Sequence, residues 1–293
     1  MAWHQISITT DEVTAPDIAD LLMELGAVSV TYMDADDQPV YEPPLNAIKI
    51  WNNTIVIALF EPEAHPAVIK AVIAFEFKHV DLQSWKQEIL EDQAWERSWM
   101  EHFKPMLFSK KLWICPTGME KEEPNTICMT LDPGLAFGTG THPTTALCLE
   151  WLASHDIHDK TVIDFGCGSG ILAVAALLLG AKVAYAIDID PQALTATLAN
   201  AEKNNVQDKI HCYLPEAFTG DAADIVLANI LATPLIELSQ TITALVKPAG
   251  QLVLSGILKE QAEAVSEAYR PAITVNIPVI QEEWCRLDGF NAK

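Results

Sequence analysis

The stretch Val162-Ile-Asp-Phe-Gly-Cys-Gly-Ser-Gly-Ile-Leu172 decides the fold of this 293-residue chain. An apolar strand runs into glycines at 166, 168 and 170, and a helix is predicted to follow. Glycine allows a sharp backbone turn and a close approach to a ligand. The N-terminus of the next helix adds free N–H groups. The pattern predicts a ligand-binding turn, although a purely structural turn between strand and helix looks similar.

Strands and helices alternate from Thr161 onward. The predicted strands are 161–165, 183–187, 210–213, 224–228, 251–255, 273–279 and 283–287, and the predicted helices lie near 170–180, 191–204, 234–247 and 259–269. Another helix is predicted to begin at Pro143 and to run to about Ser154. Such alternation is typical of a doubly wound α/β domain, with a mostly parallel sheet covered by helices on both faces.

Two aspartates follow the second strand of this domain. An acid at the position of Asp188 can hydrogen-bond the two vicinal hydroxyls of a ribose. The alternative role for Asp188 is a helix N-cap, but Asp190 directly precedes Pro191 and fits the cap better. We therefore assign Asp188 to the ligand and Asp190 to the cap.

The glycine spacing separates two possible cofactors. Dinucleotide sites use G-x-G-x-x-G and bind a pyrophosphate, whereas this turn is G-x-G-x-G with Asp164 two residues before Gly166. A carboxylate at that position would repel a pyrophosphate but would suit the ammonium group of a methionine moiety. The turn therefore favours S-adenosylmethionine over NAD.

Asn229 ends the fourth strand of the alternating domain, at the carboxyl edge where ligands bind in open α/β sheets. An asparagine there can simply cap or turn the chain. Its amide oxygen can also accept a hydrogen bond from a nitrogen that is to be methylated. We therefore name Asn229 as the candidate catalytic residue.

The first ninety residues carry none of these motifs. They read as strand, helix, strand, strand, helix, strand, with the last strand at 79–85, which is the order of a ferredoxin-like α+β fold. A connecting helix is predicted over 87–103, because Trp95, Trp99 and Phe103 recur every four residues. We expect a recognition domain at 1–86, a linker helix at 87–106 and a catalytic domain at 107–293.

The composition restricts partners and compartment. The net charge is −22, and the first hundred residues hold 17 Asp and Glu against 5 Lys and Arg. This charge repels nucleic acid and anionic membranes and attracts basic partners. It indicates either a basic protein substrate or a role in solubility alone. The six cysteines form no C-x-x-C or zinc pattern, and neither a secretory signal nor a membrane span is evident. We expect a monomeric cytoplasmic protein without a metal.

Four motifs together resemble one known family. They are Leu135-Ala-Phe-Gly-Thr-Gly-Thr-His-Pro-Thr-Thr145, Asp164-Phe-Gly-Cys-Gly-Ser-Gly170, Asp188-Ile-Asp-Pro191 and Asn229-Ile-Leu231. With them the chain resembles, over its whole length, the ribosomal-protein methyltransferase family PrmA, which modifies large-subunit ribosomal protein number eleven. The threonine-rich loop is the most family-specific of the four.

The resemblance implies which residues contact the cofactor and which groups are modified. The implied S-adenosylmethionine contacts are Thr145, Gly166, Asp188 and Asn229, together with Phe137, Asp164 and Gly168 of the same motifs. The implied products are trimethylated lysine side chains and a trimethylated N-terminal amino group. Asn229-Ile-Leu-Ala lacks the aromatic residue that other nitrogen methyltransferases use to stack a planar target, and a flexible amine needs no such residue.

Two other functions remain possible at this point. An NAD-dependent oxidoreductase is disfavoured by the glycine spacing, and a non-catalytic ribosome-binding factor could keep the same fold. His142 is a candidate general base, but a role in ordering the preceding loop suits it better.

Overall fold

The computed structural model describes residues 2–36, 50–91, 104–119, 126–132 and 141–293. The chain divides into two compact units, Met1–Ser98 and Trp99–Lys293. Within the described residues, no helix is long and apolar enough to cross a membrane.

The described residues of the first unit form a four-stranded antiparallel sheet with two α-helices, in the ferredoxin-like order β2-β3-β1-β4. Its elements are β1 Ala2–Asp11, α1 Ala15–Glu24, β2 Ser29–Asp34, β3 Asn53–Phe60, α2 Pro66–Glu76 and β4 Lys86–Glu91. Every second side chain of β3 is buried, and these pack with Ile18, Leu22 and Ile73 of the helices. The predicted fold of this unit is confirmed.

The end of this unit differs from the sequence prediction. Residues 82–84 form a short 3₁₀ helix in place of the predicted strand over 79–85, and the last strand is β4. The predicted connecting helix is therefore wrong over 87–91, and its remainder, 92–103, lies outside the described residues. Lys86–Glu91 contains good helix formers, but pairing with β1 along the sheet edge overrides that preference.

The second unit contains an eight-stranded sheet in the order β10-β9-β8-β11-β12-β15-β13, with β14 paired to β15. Its strands are β8 Thr161–Phe165, β9 Val183–Ile187, β10 Ile210–Tyr213, β11 Ala223–Asn229, β12 Val246–Leu258, β13 Ile273–Val275, β14 Val279–Gln281 and β15 Trp284–Asn291. The five strands from β10 to β12 are parallel, and β15 is antiparallel to β12. The chain reverses direction across the sheet between β8 and β11, which is where open α/β sheets bind ligands.

Helices cover both faces of this sheet, as predicted. They are α3 Pro143–Ser154, α4 Ile171–Leu178, α5 Pro191–Lys203, α6 Ala232–Glu237, α7 Ser239–Ala244 and α8 Ala262–Tyr269. One hydrophobic cluster joins α3 and α4 to a small sheet of β5 Met106–Phe108, β6 Leu112–Cys115 and β7 Ile127–Thr130. A second cluster joins the other face of the main sheet to α6, α7 and α8.

Candidate active site

The glycine turn folds over the end of the neighbouring strand. The backbone N–H groups of Gly166 and Cys167 both donate to the carbonyl of Ile187, the last residue of β9, at 2.7 and 3.1 Å. Gly166, Gly168 and Gly170 all have positive φ, between 53° and 75°, a region that other residues occupy at a cost. The predicted sharp turn is present, and it lies at the reversal point of the sheet.

Asp188 is tied to this turn through both of its carboxylate oxygens. Oδ2 accepts from the backbone N–H of Gly168 at 2.9 Å, and Oδ1 accepts from the N–H of Asp190 at 3.0 Å. Each oxygen keeps lone-pair capacity for a further donor. Asp190 is the N-cap of α5 and accepts from the N–H of Gln192 at 2.8 Å, so its predicted role is confirmed.

Asp164 is a buried carboxylate with only half of its hydrogen-bonding capacity used. Its Oδ2 accepts from the backbone N–H of Ala173 at 3.1 Å, while its Oδ1 is buried and has no partner among the described residues. Burial raises the pKa of Asp164 to about 7, the Ala173 hydrogen bond opposes that rise, and the charge of Asp188 adds to it. A buried polar atom without a partner is costly and suggests that a bound group completes it.

Asn229 contacts the first turn of α3. It ends β11 and is half-buried, and its Nδ2 donates to the hydroxyl of Thr145 at 3.2 Å. Thr145 itself has no exposed surface. The structure therefore brings together two residues that are 84 positions apart in the sequence and that come from different motifs.

Neighbouring strands hold α3 in this position. Ser255, the register partner of Asn229 on β12, is buried and donates to the carbonyl of Thr144 at 3.0 Å. Arg286 of β15 donates to the carbonyl of Leu147 at 3.0 Å and is held by Asp288 at 2.9 Å. Ser255 and Arg286, on the neighbouring strands β12 and β15, thus each donate a hydrogen bond to a backbone carbonyl in the first part of α3.

His142 is the N-cap of α3. Its ring accepts from the backbone N–H of Thr144, and its Nδ1 lies 2.8 Å from the hydroxyl of that residue. Burial lowers the pKa of His142, and the charge of Glu282 opposes that shift. The ring also packs edge-on against Trp284. These contacts suit a residue that fixes the start of a helix. The loop that His142 was predicted to order lies outside the described residues over 133–140.

The turn after Asn229 depends on close packing that the sequence analysis did not identify. Ile230 lies between two glycines. A Cβ atom on Gly166 would stand 2.2 Å from Ile230 Cγ2, and one on Gly256 would stand 2.3 Å from the Ile230 carbonyl oxygen. The available signal was the glycine inside the apolar strand β12, because such a glycine often marks a close backbone approach.

The glycine turn, Asp164, Asp188, Asn229 and Thr145 all lie where β8, β9, β11 and α3 meet. Phe137 and residues 135–140 of the threonine-rich loop lie outside the described residues. A profile of the family described as ribosomal protein L11 methyltransferase (PrmA) matches residues 2–291 of this chain.

The chain belongs to the ribosomal protein L11 methyltransferase family.

Relatives within the PrmA family match over nearly their whole length. A ribosomal protein L11 methyltransferase of Actinobacillus pleuropneumoniae is 54% identical over 291 residues, which is 99% of each chain. One from Methylococcus capsulatus is 50% identical over 288 residues, which is 98% of each chain. The crystal structure of a ribosomal protein L11 methylase from Lactobacillus delbrueckii subsp. bulgaricus superposes with a TM-score of 0.60 at 30% identity, and the match covers 65% of this chain and all of the other. The resemblance to PrmA is confirmed.

Proposed function

We propose that this protein transfers methyl groups from S-adenosylmethionine to amino groups of ribosomal protein L11, namely lysine side chains and the N-terminal amine. The observation that carries the proposal is the grouping of Asp164, Asp188 and Asn229 at the reversal point of the parallel sheet. The names of the full-length relatives support the protein substrate. When bound, S-adenosylmethionine supplies an activated methyl group on a positively charged sulfur.

The described residues fit this cofactor. Asp188 is held by two backbone N–H groups and can accept from the two ribose hydroxyls, one at each oxygen. The unpaired Oδ1 of Asp164 suits the ammonium group of the methionine moiety, either directly or through a bridging water. The two carboxylates also make the site unfavourable for a pyrophosphate, which argues against the NAD-dependent alternative.

Asn229 is proposed to receive the amine. A free lysine has a pKa of about 10.4 and is almost entirely charged at neutral pH, so it must lose a proton before it can act as a nucleophile. Partial desolvation near a positive sulfur favours the neutral amine. The Asn229 Nδ2 already donates to Thr145, so its Oδ1 is the atom suited to accept an amine N–H and to orient the lone pair.

The acidic first unit is proposed to recognise the protein substrate. The first hundred residues carry 17 acidic and 5 basic side chains, and a field of this sign steers a basic ribosomal protein toward the enzyme. The same charge disfavours direct binding of nucleic acid, and we propose a monomer acting in the cytoplasm.

The test is transfer of labelled methyl groups from S-adenosylmethionine to purified L11, with mass mapping of the modified atoms. Asn229→Ala should slow single-turnover methylation more than it weakens cofactor binding. Asn291→Ala is the matched control, because it removes a remote side-chain bond to the carbonyl of Val246. Label on amino groups supports the proposal. Label elsewhere, or none, contradicts it, and the latter outcome would favour a non-catalytic ribosome-binding role.

A further inference from the structure

The hairpin of β14 and β15 presents an exposed apolar edge on the second unit. Ile277, Val279 and Ile280 expose 87%, 40% and 60% of their surface. Among the described strands β14 pairs only with β15, so its outer side is an open sheet edge. Aliphatic side chains on an open edge are uncommon, because such an edge invites pairing with another chain. This edge is therefore suited to a partner segment.

The turn of the hairpin determines which backbone groups face outward. The two-residue turn 282–283 joins β14 to β15, and Gln281 and Trp284 on either side of it form a hydrogen-bonded pair. Hydrogen-bonded pairs alternate with pairs that are not hydrogen-bonded, and the next pair is Ile280 with Cys285. The N–H and C=O of Ile280 therefore point away from β15 and can bond a strand laid along the edge.

This edge lies in line with the candidate site. Ser255 is the register partner of Asn229, and its hydroxyl lies 3.3 Å from the carbonyl oxygen of Cys285, the residue opposite Ile280. Three strand spacings of about 4.8 Å, or roughly 14 Å, therefore separate Ile280 from Asn229. About four extended residues cover that distance at roughly 3.3 Å per residue.

The tip of the hairpin extends from this edge to the start of α3. The rings of Trp284 and His142 lie 4.8 Å apart between centroids. Burial lowers the pKa of His142, and Glu282 is near enough for its charge to oppose that shift. Glu282 and Glu283 are both exposed, and Lys259 pairs with Glu283 at 2.7 Å. A basic segment that crosses from β14 to Asn229 therefore passes an acidic tip.

The direction of β14 determines which end of an added segment reaches the site. β14 is antiparallel to β15, and β15 is antiparallel to β12, so β14 runs toward the same carboxyl edge as β11 and β12. A segment that pairs antiparallel with β14 has its N-terminus at that edge. Such a segment can direct an N-terminal amine to Asn229.

We propose that the extended N-terminal segment of ribosomal protein L11 adds to β14 as an antiparallel strand, packs on Val279 and Ile280, and presents its N-terminal amine to Asn229. The inference rests on the proposed methylation of that amine. It gives the catalytic unit a substrate-docking surface of its own, in addition to the charge of the first unit.

The kinetic test measures methylation of the L11 N-terminal amine by mass mapping. Ile280→Lys removes an apolar contact and repels a basic segment, whereas Ile280→Pro removes the outward N–H, which is not part of the ladder with β15. Each should raise the KM for this amine about tenfold, with kcat within about twofold of wild type.

Phe290→Lys is the matched control, because it adds the same charge at a side chain that is 40% exposed near the other end of β15. Its KM should stay within about twofold of wild type. A wild-type KM in both Ile280 variants, or the same increase in Phe290→Lys, overturns the inference.

A binding measurement separates this inference from the proposed function. In ¹⁵N-labelled enzyme, a saturating peptide of about ten N-terminal L11 residues should slow amide exchange at Ile280 at least about tenfold. The same peptide with N-methylated backbone amides should give no protection. Unchanged exchange overturns the inference, and so does protection that rises with enzyme concentration without L11, because a second copy of this chain then covers the edge. Protection without methylation of the amine supports the docking surface and refutes the proposed function at that amine.

Discussion

Two aspartates separated by one residue have different roles at the candidate site. Asp188 accepts a hydrogen bond from the glycine turn and is proposed to hold the ribose, whereas Asp190 caps α5. Asp188→Ala should weaken S-adenosylmethionine binding by about 1.5–3 kcal/mol, the range for a hydrogen bond to a charged group. Asp190→Ala should instead lower the free energy of unfolding by about 1 kcal/mol through loss of the cap, with cofactor affinity nearly unchanged.

Calorimetry and urea unfolding of both variants measure the two effects. The same loss of cofactor affinity in the two variants would mean that Asp188 acts only by supporting the turn, and unchanged affinity in a folded Asp188→Ala protein would remove the ribose assignment altogether.

Asp164 should make stability depend on pH in an unusual direction. Its pKa in the folded protein is about 7, above the ordinary value of 3.8, because the carboxyl is buried. Between about pH 4 and pH 7 the unfolded state binds fewer protons than the folded state, so stability falls as pH rises. Asp164→Asn should remove this fall. As pH rises from 4 to 7, the unfolding free energy of Asp164→Asn should therefore increase relative to that of wild type, by roughly 4 kcal/mol at most.

Asp224 should change stability with pH in the opposite direction to Asp164. Burial opposes its ionisation, but the hydrogen bonds from the Thr161 N–H and from Lys247 outweigh it and hold the pKa of Asp224 below its ordinary value. The stability lost in Asp224→Asn should therefore shrink as pH falls toward and below that pKa. Urea unfolding of both variants and of wild type from about pH 2 to pH 8 checks the signs, because the Asp224 effect develops only near and below its ordinary pKa of 3.8. If the stability of Asp164→Asn depends on pH as that of wild type does, Asp164 is not the cause of the fall in stability between pH 4 and pH 7.

Among the backbone elements, the β11–α6 turn depends on a glycine in the neighbouring strand. Gly256 has φ near +82°, and a Cβ there would lie 2.3 Å from the Ile230 carbonyl oxygen. Gly118 has nearly the same φ, +84°, and no atom of the part of the chain that the structure describes lies within 4 Å of such a Cβ. Both alanine variants carry the cost of a left-handed residue, about 1–2 kcal/mol. Gly256→Ala should cost measurably more and should also slow methylation, because the turn carries Asn229.

Unfolding free energies and single-turnover rates of the two variants separate the cost of the left-handed backbone, which both variants carry, from the steric clash with Ile230, which only Gly256→Ala introduces. Equal destabilisation by Gly118→Ala and Gly256→Ala would mean that the close approach at Ile230 is relieved by small shifts.

Sequence patterns determined most of the fold because hydrophobic period and turn residues are local signals. The strands 161–165, 183–187 and 210–213, and α3, were predicted to the residue. The sequence predictions failed where pairing between strands that are distant in the sequence determines the secondary structure. Lys86–Glu91 became a strand only because β1 offers an edge. The predicted strand 273–279 became two short strands on either side of Pro278, which cannot donate a ladder hydrogen bond.

The candidate site was predicted residue by residue but not as an arrangement. The motifs identified Asp164, Asp188, Asn229 and Thr145, since each belongs to a recognisable motif at a strand end or at a helix start. No local pattern states that Thr145 bonds Asn229, or that Ser255 lies beside it on the next strand. Such contacts depend on the sheet order, which a single sequence encodes only through the packing of the whole domain.

For the molecule as a whole, we expect the two units to divide recognition from catalysis. A chain beginning at Lys104, just before β5, keeps the described cofactor motifs but loses the acidic first unit. It should bind S-adenosylmethionine with wild-type affinity and methylate L11 more slowly. For the full-length protein, added salt should raise the KM for L11, and the shortened chain should show a weaker salt dependence.

Circular dichroism must first establish that the shortened chain is folded. If it is folded and methylates L11 at the wild-type rate, the first unit is not the recognition domain.

The three hydrogen bonds that tie α3 to Asn229, Ser255 and Arg286 join residues 84, 111 and 139 positions apart. Contacts of such long sequence separation form late, because the intervening chain must first be ordered. A nascent chain that has emerged only as far as α5 already has the glycine turn and Asp188, but it has neither Asn229 nor the residues that grip α3. During its own translation, the polypeptide therefore receives the residues of the proposed cofactor pocket in pieces and the proposed catalytic Asn229 after them. We expect an incompletely synthesised chain to be inactive.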